Sequence, residues 1–211
     1  MEPVYLACFS TLLWSATGDP YATRIVMSPF PTPVLSVWEE MEAGGVAALR
    51  RAIDMCNREG VLVRVVTDQS DGRIAFFTPD KFVNLNIGHR YWLRPVSQQR
   101  HMCRTRWFST SSLDHIVRHE IAHCLLLDRV GREQFDKLYC SKVELDEKLA
   151  GMVSKYAVTN PVEFAAEVYV GLGEGKQYPA EVISYYNGLW VKPQPVYQQP
   201  VVVQQGVKSL W

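Results

Sequence analysis

The sequence predicts an α+β fold: a small mixed sheet packed on one helix that carries candidate metal ligands, followed by a C-terminal helical part. Short β-branched and aromatic segments between residues 61 and 87 are typical of strands. Between residues 112 and 187, apolar residues recur with helical spacing. A chain of 211 residues is long enough for one domain and short for two. We expect residues 1–190 to form that domain and residues 191–211, rich in Pro, Gln and Val, to form an extended tail.

The composition is that of an ordinary globular protein, with 47% hydrophobic and 21% charged residues. Because the 22 basic and 22 acidic residues balance, net charge gives no reason to expect nucleic acid or an anionic membrane as partner. Five cysteines without a C-x-x-C pair favour reduced thiols. The uncharged stretch 3–18 lacks the features of a signal peptide or a transmembrane segment. We therefore expect an intracellular (cytoplasmic) or virion-associated protein with a buried N-terminal segment.

The first third of the chain predicts a connector, a helix and a strand. Residues 28–33 are proline-rich and extended, and Gly44-Gly45 is expected to break a helical pattern. Val46 to Glu59 carries apolar residues on one helical face, and Gly60 is a C-terminal stop. The β-branched run Val61 to Thr67 predicts a strand.

A β-hairpin is predicted next. Ile74 to Phe77 and Phe82 to Ile87 flank a four-residue turn with proline in its favoured place. In the second arm, apolar residues alternate with Asn84 and Asn86. This alternation predicts one buried face and one polar face.

The segment from Gly88 to Thr110 is expected to be irregular. It contains five arginines and no acidic residue: Arg90, Arg94, Arg100, Arg104 and Arg106. One interpretation is a solvated loop whose aromatic residues attach it to the core, and another is a cationic wall beside a cleft that favours acidic substrates. Local charge runs are usually solvated, which favours the first interpretation.

The remaining chain predicts a series of helices. Ser111-x-x-Asp114 is a candidate capping box for the first of them, and Gly131 is expected to end it. Asn160 suits an N-cap and Pro161 suits the first helical position. Three further helical segments are expected at Glu133 to Tyr139, Lys142 to Val153 and Ala180 to Asn187.

The sequence His119-Glu120-Ile-Ala-His123 reads H-E-x-x-H. Residues four apart lie one turn apart on the same helical face, so His119 and His123 can hold one metal ion. Glu120 stands beside the first histidine, where it can reach a metal-bound water. His115 lies one turn earlier, where it is either a spare ligand or a surface or supporting residue.

A catalytic zinc needs a third protein ligand. Arg129 occupies the position where a third histidine would follow in a metzincin, so that pattern is excluded. Glu163 and Glu167 are four apart and share one helical face. We choose Glu163 as the ligand and expect Glu167 to accept the spare N–H of a zinc-bound histidine. The alternatives are that Glu163 completes a capping box with Asn160, and that Glu144 or His115 is the third ligand.

These two motifs and their spacing resemble the anthrax lethal factor-like zinc metallopeptidases, a family that includes the secreted pro-pro endopeptidases. The similarity covers Ile74 to Leu172, and Ala165 stands where the family usually has an aromatic residue. The resemblance implies a zincin-like fold of the gluzincin type with Glu163 as third ligand. It also implies that Tyr156, seven residues before Glu163, stabilises the oxyanion.

The expected function is therefore that of a zinc endopeptidase with one Zn²⁺ per chain and Glu120 as general base. A peptide or protein is the expected substrate, and the tail is a candidate docking segment for a protein partner. In zincin folds an edge strand holds the substrate, which makes Phe82 to Ile87 the candidate strand, with Asn84 and Asn86 as substrate-binding residues. Two alternatives remain: a non-catalytic zinc-binding structural or assembly protein, for example of a virion, and a zinc hydrolase of a non-peptide amide.

Overall fold

The structure is a computed structural model that describes residues 43–67, 72–141 and 146–191. The predictions for the N-terminal segment, for the tail beyond Val191 and for Glu144 lie outside these ranges. Within them the chain is α+β, as predicted, with seven α-helices and one three-stranded mixed sheet. Every helix in these ranges is too short or too polar to cross a membrane.

Helix α1 spans Ala43–Arg58 and packs Leu49, Ile53 and Cys56 into the core. The predicted break at Gly44-Gly45 is wrong, because the helix runs through both glycines. Burial of the apolar face offsets a cost of about 1 kcal/mol for each glycine. Gly60 follows the helix with φ +67°, the left-handed conformation expected of a C-terminal stop.

The sheet consists of β1 (Leu62–Val66), β2 (Ala75–Thr78) and β3 (Phe82–Asn86) in the order β1-β3-β2. Strands β2 and β3 pair antiparallel, which confirms the hairpin, and β1 pairs parallel to β3. The prediction that Phe82 to Ile87 is the edge strand is wrong, because β3 lies between the other two. In the described sheet, β2 is the antiparallel edge.

The segment after the sheet is more regular than predicted. It forms a 3₁₀ turn, Arg90–Leu93, and helix α2, Pro95–Arg104. Proline at the first position of α2 needs no N–H partner, which suits the start of a helix. Tyr91 and Trp92 are buried, which confirms that aromatic residues attach this segment to the core.

The predicted helical part is confirmed, with shifted boundaries. Helix α3 ends before Gly131, whose φ is +84°. The segment predicted at Lys142 to Val153 contains, among the described residues, only the short helix Glu147–Gly151. The elements are α3 (His115–Val130), α4 (Arg132–Cys140), α5 (Glu147–Gly151), a 3₁₀ turn (Tyr156–Val158), α6 (Pro161–Gly173) and α7 (Ala180–Leu189).

The start of α3 differs from the predicted capping box. Asp114 is the N-cap residue, but its side chain makes no capping hydrogen bond. Its carboxylate instead binds the Arg51 guanidinium of α1 at 2.5 and 2.7 Å. The two-point ion pair uses the carboxylate that the capping box would need.

Helix α3 lies between two apolar clusters. Its N-terminal half contributes Ile116, Val117 and Ile121 to a cluster shared with α1 and the sheet. Its C-terminal half contributes Leu126 and Leu127 to a second cluster shared with α4, α6 and α7. The H-E-x-x-H residues lie on α3 where these clusters meet.

Candidate metal centre

The first two candidate ligands are fixed by the packing of α3. His119 and His123 are 4% and 6% exposed, and their rings lie 4.7 Å apart at 90°. Neighbouring positions of the helix are buried in the core, so the helix cannot rotate these side chains away. Both histidines line a cleft between β2 and α6.

The N-cap of α6 places the third candidate ligand. The Asn160 side-chain oxygen accepts hydrogen bonds from the backbone N–H groups of Val162 and Glu163, each at 3.0 Å. Pro161 occupies the first position, as predicted. The cap therefore fixes the first turn of α6, from which Glu163 extends towards α3.

The structure brings the three predicted ligands together. Glu163 Oε2 lies 2.7 Å from His119 Nε2 and 3.3 Å from His123 Nε2. Ligand atoms around a tetrahedral zinc are separated by about 3.3 Å, given metal–ligand bonds of about 2.0–2.1 Å. Two imidazole nitrogens and one carboxylate oxygen form a donor set suited to zinc, and a small side-chain adjustment would admit the ion. Because Glu163 Oε2 faces the histidines, the geometry does not favour the capping-box alternative.

Glu167 lies behind His119, as the sequence predicted for a supporting residue. Its Oε1 accepts hydrogen bonds from His119 Nδ1 at 3.0 Å and from His115 Nε2 at 2.8 Å. Its Oε2 accepts the backbone N–H of Ser109 at 2.6 Å. A carboxylate can only accept here, so Nδ1 of His119 carries the proton that Glu167 accepts. In the metal-free protein Nε2 donates to Glu163, and it is the ring nitrogen whose lone pair a bound metal would take.

His115 is fully buried, which excludes the surface role that the sequence left open. It could be grouped with His119 and Glu167 as a second metal-binding set. However, His119 cannot both donate Nδ1–H to Glu167 and offer the same nitrogen to a metal, and the other Glu167 oxygen and His115 Nδ1 already contact Ser109 and Thr110. We therefore assign His115, His119 and Glu167 to a hydrogen-bonded support rather than to a second metal site.

Charge within the cluster is strongly coupled. Burial raises the pKa of Glu163, but His123 and His119 outweigh burial and hold that pKa well below its ordinary value. Burial likewise opposes ionisation of Glu167, and His115 and His119 lower its pKa. Burial lowers the pKa of His119, but its hydrogen bonds to both carboxylates raise it well above 6.5. The two carboxylates are therefore charged and attract a cation.

Glu120, the candidate general base, lies in the same cleft as the candidate ligands. It lines the cleft beside the two histidines and is 9% exposed. Burial raises its pKa; His123 and His119 lower it, the negative charge of Glu163 raises it, and a hydrogen bond to the Phe77 backbone lowers it. The net shift is upward, the direction that makes a carboxylate a stronger base.

The Tyr156 ring packs beside His119. The two ring centroids are 5.4 Å apart, and Tyr156 lines the cleft. Burial, followed by the charges of Glu163 and Glu120, raises the pKa of the Tyr156 hydroxyl. The phenol therefore keeps its proton and can donate a hydrogen bond into the cleft.

Asn84 and Asn86 do not line the cleft, contrary to the sequence prediction. They are 1% and 0% exposed on the central strand. The Asn84 amide donates to Phe76 O at 3.1 Å, and the Asn86 amide donates to Arg73 O at 3.0 Å. Both side chains hold the β2 segment in place, which explains why polar residues alternate in a buried strand.

Strand β2, rather than β3, forms one wall of the cleft through Ala75, Phe76 and Phe77. The arginine-rich segment contributes four residues to the lining of the cleft, and none is an arginine: His89, Met102, Trp107 and Phe108. The cationic-wall interpretation is thus not supported by the lining of this cleft. The sequence did not identify β2 as the edge strand, because alternation of polar and apolar residues does not show which strand lies at the edge of a sheet.

Comparison with protein-family models, with curated proteins and with solved structures found no match.

Proposed function

We propose that the protein is a zinc-dependent endopeptidase with a zincin-like domain of the gluzincin type. The observation that supports this most strongly is the convergence of His119 Nε2, His123 Nε2 and Glu163 Oε2 at one side of a cleft. Glu120 and Tyr156 line the same cleft, next to these ligands. A bound zinc would polarise a carbonyl group and lower the pKa of water to about 7.

The side chains of the cleft supply the proton transfers. Glu120 accepts a proton from the attacking water and then gives it to the leaving amine. Tyr156 donates a hydrogen bond to the oxyanion that develops on the scissile carbonyl. Glu167 keeps His119 in the tautomer that presents Nε2 to the metal position. Each role depends on protonation: Glu120 accepts as a carboxylate, Tyr156 donates as a phenol, and Glu167 accepts the Nδ1 proton of His119.

Strand β2 is the proposed substrate platform. An edge strand presents backbone N–H and C=O groups that can pair with an extended peptide. Because β2 lines the cleft beside His123 and Glu120, a peptide paired to it would pass over the metal position. Such pairing gives affinity for many sequences, since it uses backbone groups.

The test compares wild type with Glu120→Gln on a peptide library, after zinc content has been measured for both. We expect about one zinc per chain in each protein and cleavage by wild type alone, because the amide cannot accept the proton. Glu181→Gln on α7, an exposed glutamate away from the cleft, is the matched control and should cleave normally. Equal cleavage by wild type and Glu120→Gln contradicts the proposal. Zinc binding without cleavage by any variant favours a non-catalytic protein or a hydrolase of a non-peptide amide.

A further inference from the structure

A chain of buried polar residues leads from the core to the candidate metal centre. Tyr91 donates to Gln99 Oε1 at 3.1 Å, and Gln99 Nε2 donates to Thr110 O at 2.9 Å. The Thr110 hydroxyl contacts His115 Nδ1 at 3.1 Å. His115 Nε2 then bonds Glu167, which bonds His119. Gln99 of helix α2 is thereby connected to a candidate zinc ligand through Thr110, His115 and Glu167.

The protons in this chain can be assigned by which groups can donate. Glu167 is a carboxylate and only accepts, so His115 Nε2 and His119 Nδ1 both donate to it. In the tautomer of His115 that donates from Nε2, Nδ1 accepts, and the Thr110 hydroxyl is placed to donate to it. The Thr110 hydroxyl thus complements the tautomer that Glu167 requires.

The surroundings of His115 indicate that its side chain does more than fill space in the core. An apolar side chain would fill the same volume without the desolvation cost of a buried imidazole. The Phe108 ring stacks on His115 at 4.4 Å and 26°, which fixes the plane of the imidazole. Both ring nitrogens have partners, at 3.1 and 2.8 Å. The ring is thus held in both orientation and tautomer.

We propose that His115 is a positioning residue that fixes the Glu167 carboxylate and, through it, the orientation and tautomer of His119. This inference rests on the proposed metal site and extends its support one residue further. Without His115, Glu167 keeps its bonds to Ser109 and His119 but loses the shorter of its two imidazole contacts. Its carboxylate could then turn about the Ser109 bond and release His119 from its fixed orientation.

The test measures zinc affinity, by competition with a chelator, for wild type, His115→Phe and His115→Gln. Removing a residue that bonds a metal ligand directly costs about 10–100-fold in affinity. Because His115 acts one residue further out, through Glu167, we expect a loss at the lower end of this range, about tenfold, for His115→Phe. The Gln amide can donate to Glu167 and accept from Thr110, so His115→Gln should recover part of the loss. His101→Phe, which changes an exposed histidine of α2, is the matched control and should bind zinc like wild type.

A double-mutant cycle with Glu167→Gln distinguishes positioning from a structural contribution. If His115 acts through Glu167, the double variant binds zinc no more weakly than Glu167→Gln alone. Additive losses contradict the proposal, as does a zinc affinity of His115→Phe within about twofold of wild type. Two zinc ions per wild-type chain, with one lost in His115→Phe, would also overturn it in favour of a second metal site.

If His115→Phe does not fold, Thr110→Val takes its place in the same measurements. It removes the donor to His115 Nδ1 while preserving the shape of the side chain. A smaller loss of zinc affinity that disappears in the Glu167→Gln background supports the proposal, and an unchanged affinity overturns it. If the wild-type protein binds zinc but cleaves no peptide, the proposed endopeptidase function is contradicted. The positioning role of His115 is still tested in that case, because its measurement is zinc affinity.

Discussion

Asn160 Oδ1 accepts the backbone N–H of Glu163 at 3.0 Å, so the residue that caps α6 also fixes the backbone of the third candidate ligand. The same hydrogen bond therefore stabilises the first turn of α6 and positions Glu163. The cap satisfies two N–H groups that would otherwise lack an intrahelical partner.

Asn160→Ala should therefore reduce both stability and zinc affinity. We expect the free energy of unfolding to fall by about 1 kcal/mol, the usual cost of a lost N-cap. Urea denaturation measures the first effect and chelator competition the second. Asn187→Ala, at an exposed position in α7, is the control. A loss of stability with unchanged zinc affinity would show that the cap does not position Glu163.

Tyr156→Phe tests the proposed oxyanion donor. The phenyl ring preserves packing against His119, but it cannot donate a hydrogen bond. We expect kcat to fall by about 10²–10³-fold, as for other lost oxyanion donors, with zinc content unchanged. Tyr186→Phe on α7 serves as control because Tyr186 does not line the cleft. A kcat equal to that of wild type would remove Tyr156 from the mechanism.

In the metal-free protein, the charges of Glu163 and His119 predict how stability changes with pH. Because the pKa of Glu163 is lowered on folding, its stabilisation is present above 4.5 and is lost as pH falls. Because the pKa of His119 is raised, its stabilisation is present below 6.5 and is lost as pH rises through the folded value. Both contributions are therefore complete only between pH 4.5 and 6.5.

The check is urea denaturation of metal-free wild type and Glu163→Gln across pH. The neutral amide removes the carboxylate charge, so the difference in unfolding free energy should be larger at about pH 5.5 than at about pH 3.5. A difference that is constant across this interval would mean that Glu163 is not ionised against the histidines.

Thiol reactivity provides an independent test of the packing. Burial raises the pKa of Cys56 and of Cys124 to about 12 in each case. The thiolate is the reactive form, so both should resist iodoacetamide at about pH 8 until the protein unfolds. Cys140 is exposed and should react in the native state. Peptide mass spectrometry identifies the labelled residues, and rapid labelling of native Cys124 would contradict the packing of α3 against the sheet.

The parts of the fold that follow from local spacing could be predicted from the sequence. The hairpin, the α6 cap and the shared face of Glu163 and Glu167 each depend on residues within ten positions of one another. These determine their local geometry through turn, cap and helix rules. These local rules do not show that Glu163 and Glu167 contact His119. We expected that contact only because a catalytic zinc needs a third ligand and its histidine needs a hydrogen-bond acceptor.

Features that depend on distant pairing could not be predicted. The Asp114 carboxylate forms its ion pair with Arg51, 63 residues away, instead of capping α3. The parallel pairing of β1 with β3 makes β3 the central strand, and no local pattern in β3 shows this. His115 is buried because Glu167, 52 positions later, bonds it. In each case a partner remote in sequence decides the outcome.

We propose that a single zinc held by His119, His123 and Glu163 enables peptide hydrolysis by Glu120. The most direct test is to titrate the metal-free wild-type protein with zinc and measure peptide turnover at each addition. We expect turnover to be absent without zinc, to rise linearly and to stop rising at one zinc per chain. Turnover that is independent of added zinc, or that persists when Glu163→Ala is titrated in the same way, would contradict this proposal.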